Sequence, residues 1–80
     1  MNITVYSQPN CGKCVATMRM MDLKGIPYHE VNIRDKEESV DILKQMGYNE
    51  TPVVVVRNSD GSVAEDWGGF HPERIKNYVI

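Results

Sequence analysis

Two cysteines separated by two residues, in the run Cys11-Gly12-Lys13-Cys14, are the side chains of this sequence best suited to chemistry. A thiolate attacks a disulfide sulfur through a mixed-disulfide intermediate, so a second thiol nearby can displace whatever the first has captured. The spacing serves that purpose, because residues three apart share one helical face whereas residues one or two apart do not. The pair lies where a strand meets the start of a helix. There the first turn offers unpaired backbone N–H groups and the positive end of the helix dipole, both of which favour a thiolate over a thiol. Cys11 is therefore expected to be the more acidic, attacking sulfur and Cys14 the resolving one. Lys13 adds a charge of the same sense, weakened by water and salt because the position is exposed.

Two other uses of the pair compete. A structural zinc needs four ligands, and the only further soft candidates are the isolated His29 and His71, with no second close pair. Two inert core cysteines would account for Cys14 better than for Cys11, which follows a polar turn. A single Cys-x-x-Cys in a β-α-β setting favours redox chemistry over both.

The elements that must hold the pair can be read from the pattern. Ile3, Val5 and Ser7 alternate with Thr4 and Tyr6 as a strand that ends at Gln8-Pro9-Asn10. Cys14, Met18 and Met21, joined by Val15, mark the apolar face of a helix that stops at Gly25, with Pro27 beyond. Tyr28 to Ile33 alternates as a second strand. Asp35 followed by Glu38 has the form of a capping box, and Val40, Leu43 and Met46 predict a helix over 36–46. Val53 to Val56 is solidly β-branched and too short for a helix, as a strand buried on both faces would be. Asn58-Ser59-Asp60-Gly61 predicts a turn, and Ser62 to Trp67 a returning strand. Pro72 suits a first helical turn, and Ile75, Tyr78 and Val79 supply an apolar face. The predicted order is β-α-β-α-β-β-α: an α/β fold with a four-stranded mixed sheet flanked by three helices, in one domain over 1–80.

Length and charge narrow the function further. Eighty residues with 41% apolar content suffice for one modest core, in which roughly 60% of the unfolded surface is hidden. A net charge of −2 and no stripe of Lys and Arg argue against nucleic acid. The longest apolar run, Pro52 to Val56, is far below the roughly 20 residues that span a bilayer. No secretory leader is visible at Met1, so the expected address is the cytoplasm, where two cysteines this close rarely serve as a structural staple. No glycine-rich phosphate loop appears, so no nucleotide or flavin is expected to be bound.

Three further places stand out. Thr51-Pro52 precedes the valine strand, where proline is tolerated because a strand start needs no donor. Trp67-Gly68-Gly69-Phe70 places two large rings about a flexible dipeptide; either ring could be simple core, and the glycines would permit a tight bend or a close backbone approach. His29 alternates outward and His71 precedes Pro72; neither is assigned chemistry. The five methionines read as gap-filling core.

Three blocks together, Val5-Tyr6-Ser7-Gln8-Pro9-Asn10-Cys11-Gly12-Lys13-Cys14, Thr51-Pro52-Val53-Val54 and Trp67-Gly68-Gly69-Phe70-His71-Pro72-Glu73-Arg74-Ile75, resemble the glutaredoxin-like NrdH-redoxins. The resemblance spans nearly the whole chain, and the late Trp-x-Gly-Phe-x-Pro block is its specific part. It implies a thioredoxin fold, Cys11 as attacking and Cys14 as resolving thiol, Pro52 as a cis-proline beside them, and substrate contacts from Lys13, Thr51, Pro52, Trp67, Gly68, Gly69 and Phe70. It also implies a monomeric electron carrier with no bound cofactor. Such a carrier takes electrons from NADPH through thioredoxin reductase and gives them to the large subunit of class Ib ribonucleotide reductase. The sequence departs from the family at Gly12-Lys13, nearer the Cys-Gly-Pro-Cys of thioredoxin, at Gln8, where lysine is common, and at Gly68, where serine is frequent. A glutathione-using glutaredoxin, the second reading, would show a basic residue at position 8 and a Gly-Cys-Asp-Asp-like segment where Phe70-His71-Pro72-Glu73 stands.

Overall fold

The computed structural model describes residues 1–79; Ile80, within the domain expected over 1–80, lies outside the described residues. Four strands, β1 (Asn2–Ser7), β2 (His29–Asn32), β3 (Val53–Arg57) and β4 (Val63–Gly68), form one sheet in the order β2-β1-β3-β4. β1 runs parallel to β2, and both the β1–β3 and β3–β4 pairs are antiparallel, so the sheet is mixed. The helices are α1 (Gly12–Leu23), α2 (Glu37–Gln45) and α3 (Pro72–Ile75), the last continued by a 3-10 turn over Lys76–Tyr78.

The valine strand explains how one sheet holds two layers. Val53 to Val56 are fully buried, and period-two alternation sends them to opposite faces. Val54 and Val56 join Ile3, Val5, Met21, Ile26, Trp67 and Ile75 in a core beneath α1 and α3. Val53 and Val55 join Tyr6 and Leu43 beneath α2.

Three local expectations are corrected by packing and turn geometry. Val15 does not join the apolar face of α1 and is 59% exposed; Thr17 is buried in its place and bonds back to the Lys13 carbonyl at 2.8 Å. Because Cys11 is the N-cap, the inward face of α1 runs Cys14, Thr17, Met21, and Val15 falls beside it on the solvent side. Asp35 is not the cap of α2: the Asp35 N–H is taken by the Asn32 carbonyl at 3.1 Å in the preceding turn, and the N-cap is Lys36 without a side-chain bond. Val79 is exposed rather than packed, since the chain leaves helical geometry after Tyr78 and turns extended.

Gly47 closes α2 with φ +92°, a left-handed conformation that glycine adopts without strain. The Tyr48 N–H then reaches back to the Leu43 carbonyl at 2.9 Å, a helix stop that fixes where the Tyr48 ring goes.

Candidate active site

Cys11 and Cys14 are joined as a disulfide, with Cα atoms 5.2 Å apart, at the end of β1 and the start of α1. The two sulfurs are not equivalent. Cys11 is half-buried and Cys14 is only 1% exposed, so a partner can reach only the first. Cys11 is also the N-cap, and its Sγ accepts the Cys14 N–H at 3.2 Å. A second donor, the Thr51 hydroxyl, stands 3.5 Å from the same sulfur. The Thr51 carbonyl lies 3.6 Å away and can accept from Cys11 when that residue is a thiol. Two donors aimed at Sγ favour the anion, and the helix start adds to them.

Thr51 is held in place by its neighbours. The Thr51–Pro52 peptide is cis, the geometry implied by the resemblance, and both residues are buried. The Pro52 carbonyl accepts the Gly69 N–H at 2.9 Å, which ties the loop after β4 to the segment that touches the sulfur. The loop is closed from behind by His71, whose Nε2 donates to the Gly68 carbonyl at 2.9 Å while Nδ1 lies 3.3 Å from the Glu73 carboxylate. The last helix thus gains no side-chain cap from His71, but His71 has a structural part that the sequence did not reveal. Glu73 is held below the usual carboxylate range, first by a bond to its own backbone and next by His71.

Of the residues expected to meet substrate, Lys13, Thr51, Gly68, Gly69 and Phe70 line one open groove beside the disulfide. Phe70 is 38% exposed on its rim, so this ring is not core. Pro52 is buried and does not line the groove. Trp67 is placed elsewhere: its ring packs in the core, stacked on Tyr78 at a centroid distance of 6.1 Å and capped by the Arg74 guanidinium at 5.8 Å. The alternation of β4 decides this, since Trp67 pairs with Val54 and shares its face.

Two residues of the site had no signal in the sequence. Tyr48 borders the groove, and a Cβ on Gly68 would sit 3.1 Å from its ring carbons, so the ring fills the space that a side chain at 68 would need. Its hydroxyl donates to Asp66, and burial, followed by that bond, pushes the phenol up to about 12. Glu30 is the other: it accepts the Ser7 hydroxyl at 2.8 Å and lines a cavity shared with both cysteines. Neither His29 nor His71 joins the cysteines, and no group of three or more metal-ligating side chains forms among the described residues. Among the described residues, no helix is long and apolar enough to cross a membrane.

The glutaredoxin family model matches residues 3–60. The glutaredoxin-like protein NrdH of Salmonella typhimurium is 35% identical over 94% of this chain and 85% of its own length. This chain belongs to the NrdH-redoxins of the glutaredoxin family. The Escherichia coli K12 NrdH is 32% identical over the same shares. The solved structure of the Escherichia coli NrdH-redoxin superposes with a TM-score of 0.86 at 30% identity, covering 96% of this chain and 93% of that one. The fold is therefore the thioredoxin fold, and a Plasmodium falciparum thioredoxin at 14% identity shares it with a TM-score of 0.71. As an NrdH-redoxin the chain is a thiol–disulfide oxidoreductase, and the Cys11–Cys14 pair is its redox group.

Proposed function

We propose that this NrdH-redoxin is a monomeric, single-domain cytoplasmic electron carrier, reduced by NADPH through thioredoxin reductase and donating to the large subunit of class Ib ribonucleotide reductase. The similarity to NrdH proteins over 94% of the chain carries the reading. The site supports a protein partner. Cys11 opens beside a groove lined by Lys13, Thr51, Gly68, Gly69 and Phe70, with an exposed ring at the rim on which a partner chain can pack.

The cycle follows from the unequal exposure of the two sulfurs. The Cys11 thiolate attacks the partner's disulfide, one partner sulfur departs as thiolate, and a mixed disulfide forms. Cys14, covered but one turn away, attacks Cys11 Sγ, releases the second partner sulfur and closes the internal disulfide. Lys13, Thr51, Pro52, Gly68, Gly69 and Phe70 position the partner, while Trp67 acts from below by holding β4 and the loop after it.

The deciding assay compares electron sources on one substrate, such as insulin. Turnover with NADPH and a thioredoxin reductase supports the proposal, and faster turnover with glutathione and glutathione reductase would replace it with the glutaredoxin reading. Stimulation of class Ib ribonucleotide reductase by the reduced protein tests the acceptor.

A further inference from the structure

Resolution of the mixed disulfide requires Cys14 to lose a proton, yet Cys14 is only 1% exposed. A basic group lining the hollow beside Cys14 would take it more readily than bulk water. Ser7 is buried as well, at 3%, and lines the same cavity as Cys11, Cys14, Met18, Asn32 and Glu30. Its hydroxyl donates to Glu30 Oε2 at 2.8 Å, which leaves its oxygen lone pairs free to accept. Glu30 is the one carboxylate lining that cavity. The parallel register Val5↔Glu30 and Ser7↔Asn32 sets it on the face of β2 that looks toward α1. Its outer side opens onto a second hollow lined by Arg19 and Asp22 of α1 and by Tyr28.

We propose that Ser7 and Glu30 are a proton-withdrawing pair for Cys14. Ser7 accepts the thiol proton as its own passes to Glu30, and the Cys14 thiolate so formed attacks Cys11 Sγ of the mixed disulfide. The Cys11–Cys14 bond forms and the bond from Cys11 to the partner breaks. The electron pair leaves on the partner sulfur as a thiolate, and the proton rests on Glu30 until that thiolate or water receives it. Over the whole exchange the two cysteines are oxidised and the partner's disulfide is reduced by two electrons, with no further reactant. The titratable and charged groups facing Glu30 are Arg19, Asp22 and Tyr28, with Cys11 across the cavity. The inference stands on the two-cysteine chemistry alone and is independent of which reductase or acceptor the protein serves.

A bond that merely pinned β2 to β1 would serve equally well with glutamine at position 30, because the amide oxygen still accepts from Ser7 but cannot hold its proton. Glu30→Gln, Ser7→Ala and Ser7→Thr should be reduced and mixed with dithiobis-nitrobenzoate in a stopped-flow instrument between about pH 5 and 8. The first nitrothiobenzoate released reports attack by Cys11, and the second reports resolution by Cys14. We expect Glu30→Gln and Ser7→Ala to slow the second release about tenfold or more. The first release should be unchanged, the deficit should shrink as pH rises, and Ser7→Thr should restore the wild-type profile. A wild-type second release in Glu30→Gln, or equal slowing of both releases, would overturn the proposal, whereas loss of the first release altogether would count against the Cys11 assignment instead.

Discussion

The Thr51 hydroxyl is the side-chain donor nearest the Cys11 sulfur, at 3.5 Å, and its removal gives the sharpest test of the proposal that the site prepares Cys11 for attack. Thr51→Val keeps the branched shape, the backbone carbonyl and the burial, and deletes only the donor. A hydrogen bond to a charged group contributes about 1.5 to 3 kcal/mol in a protein. At this distance from a large, diffuse sulfur anion the lower end applies, and about 1.4 kcal/mol corresponds to one pKa unit. The Cys11 thiol should therefore rise by roughly one unit, while the Cys14 N–H, at 3.2 Å, continues to stabilise the anion. The effect on rate is smaller than the effect on ionisation. At pH well below the thiol pKa, a tenfold loss of thiolate is offset by about threefold through the greater nucleophilicity of the more basic sulfur, leaving attack about threefold slower in acidic solution, a deficit that closes as pH rises past the pKa. The measurement is thiolate absorbance against pH in a Cys14→Ser background, where Cys11 is the only thiol, with Thr51→Ser as the control that retains the hydroxyl. No shift, or a downward one, would refute the role given to Thr51.

Cys11→Ser should abolish disulfide reduction, and Cys14→Ser should accumulate mixed disulfides with substrate, as seen by intact mass; trapping of equal amounts by both would remove the division of roles. Gly68→Ala brings a Cβ to 3.1 Å from a Tyr48 ring that its bond to Asp66 keeps from swinging aside, so it should destabilise the fold by about 1 to 2 kcal/mol in urea unfolding, and Tyr48→Ala should relieve part of that cost. Leu43→Ala, which empties the centre of the core beneath α2, should cost about 2 to 5 kcal/mol by the same measurement. Tyr48 and Tyr78 both have phenols pushed up to about 12, each by burial and then by a carboxylate partner, Asp66 and Glu65 respectively. Their folded pKa values exceed the unfolded value of 10.0, so their contribution is complete below about pH 10 and is lost as pH rises toward about 12. Tyrosinate absorbance should accordingly show Tyr48 and Tyr78 ionising late, with Tyr28, which burial and then Asp22 also raise, above the ordinary phenol range; ionisation of Tyr48 and Tyr78 near pH 10 would contradict these contacts.

Which features were legible in one dimension depends on the range of the interactions behind them. The cysteine pair is legible because its chemistry depends on a spacing of three residues and on the strand-to-helix junction that carries it. The valine strand is legible because a run of β-branched residues has few alternatives. The capping box at Asp35 misleads because a local turn begun at Asn32 claims its backbone first, a competition between two short-range patterns that look equally good in the sequence. Val15 shows the limit of periodicity: it lies about 100° round the helix from Cys14, at one edge of the apolar face, and packing buries Thr17 at the other edge instead. Trp67 sits in the block that carries the family resemblance, yet its side is set by register with β3, and Phe70, beyond the strand, is free to reach the rim. Tyr48 and Glu30 were invisible for a different reason. Each owes its place to a partner that is distant in sequence, Gly68 and Ser7, and only the closed sheet brings them together.

The central claim is that the two sulfurs of one disulfide have separate duties assigned by exposure and by the start of a helix. Limited alkylation tests it most directly. The fully reduced protein is treated at mildly acidic pH with less than one equivalent of iodoacetamide, and the modified cysteine is identified by peptide mass spectrometry. Alkylation should fall almost wholly on Cys11; equal labelling of the two thiols, or preference for Cys14, would contradict the account.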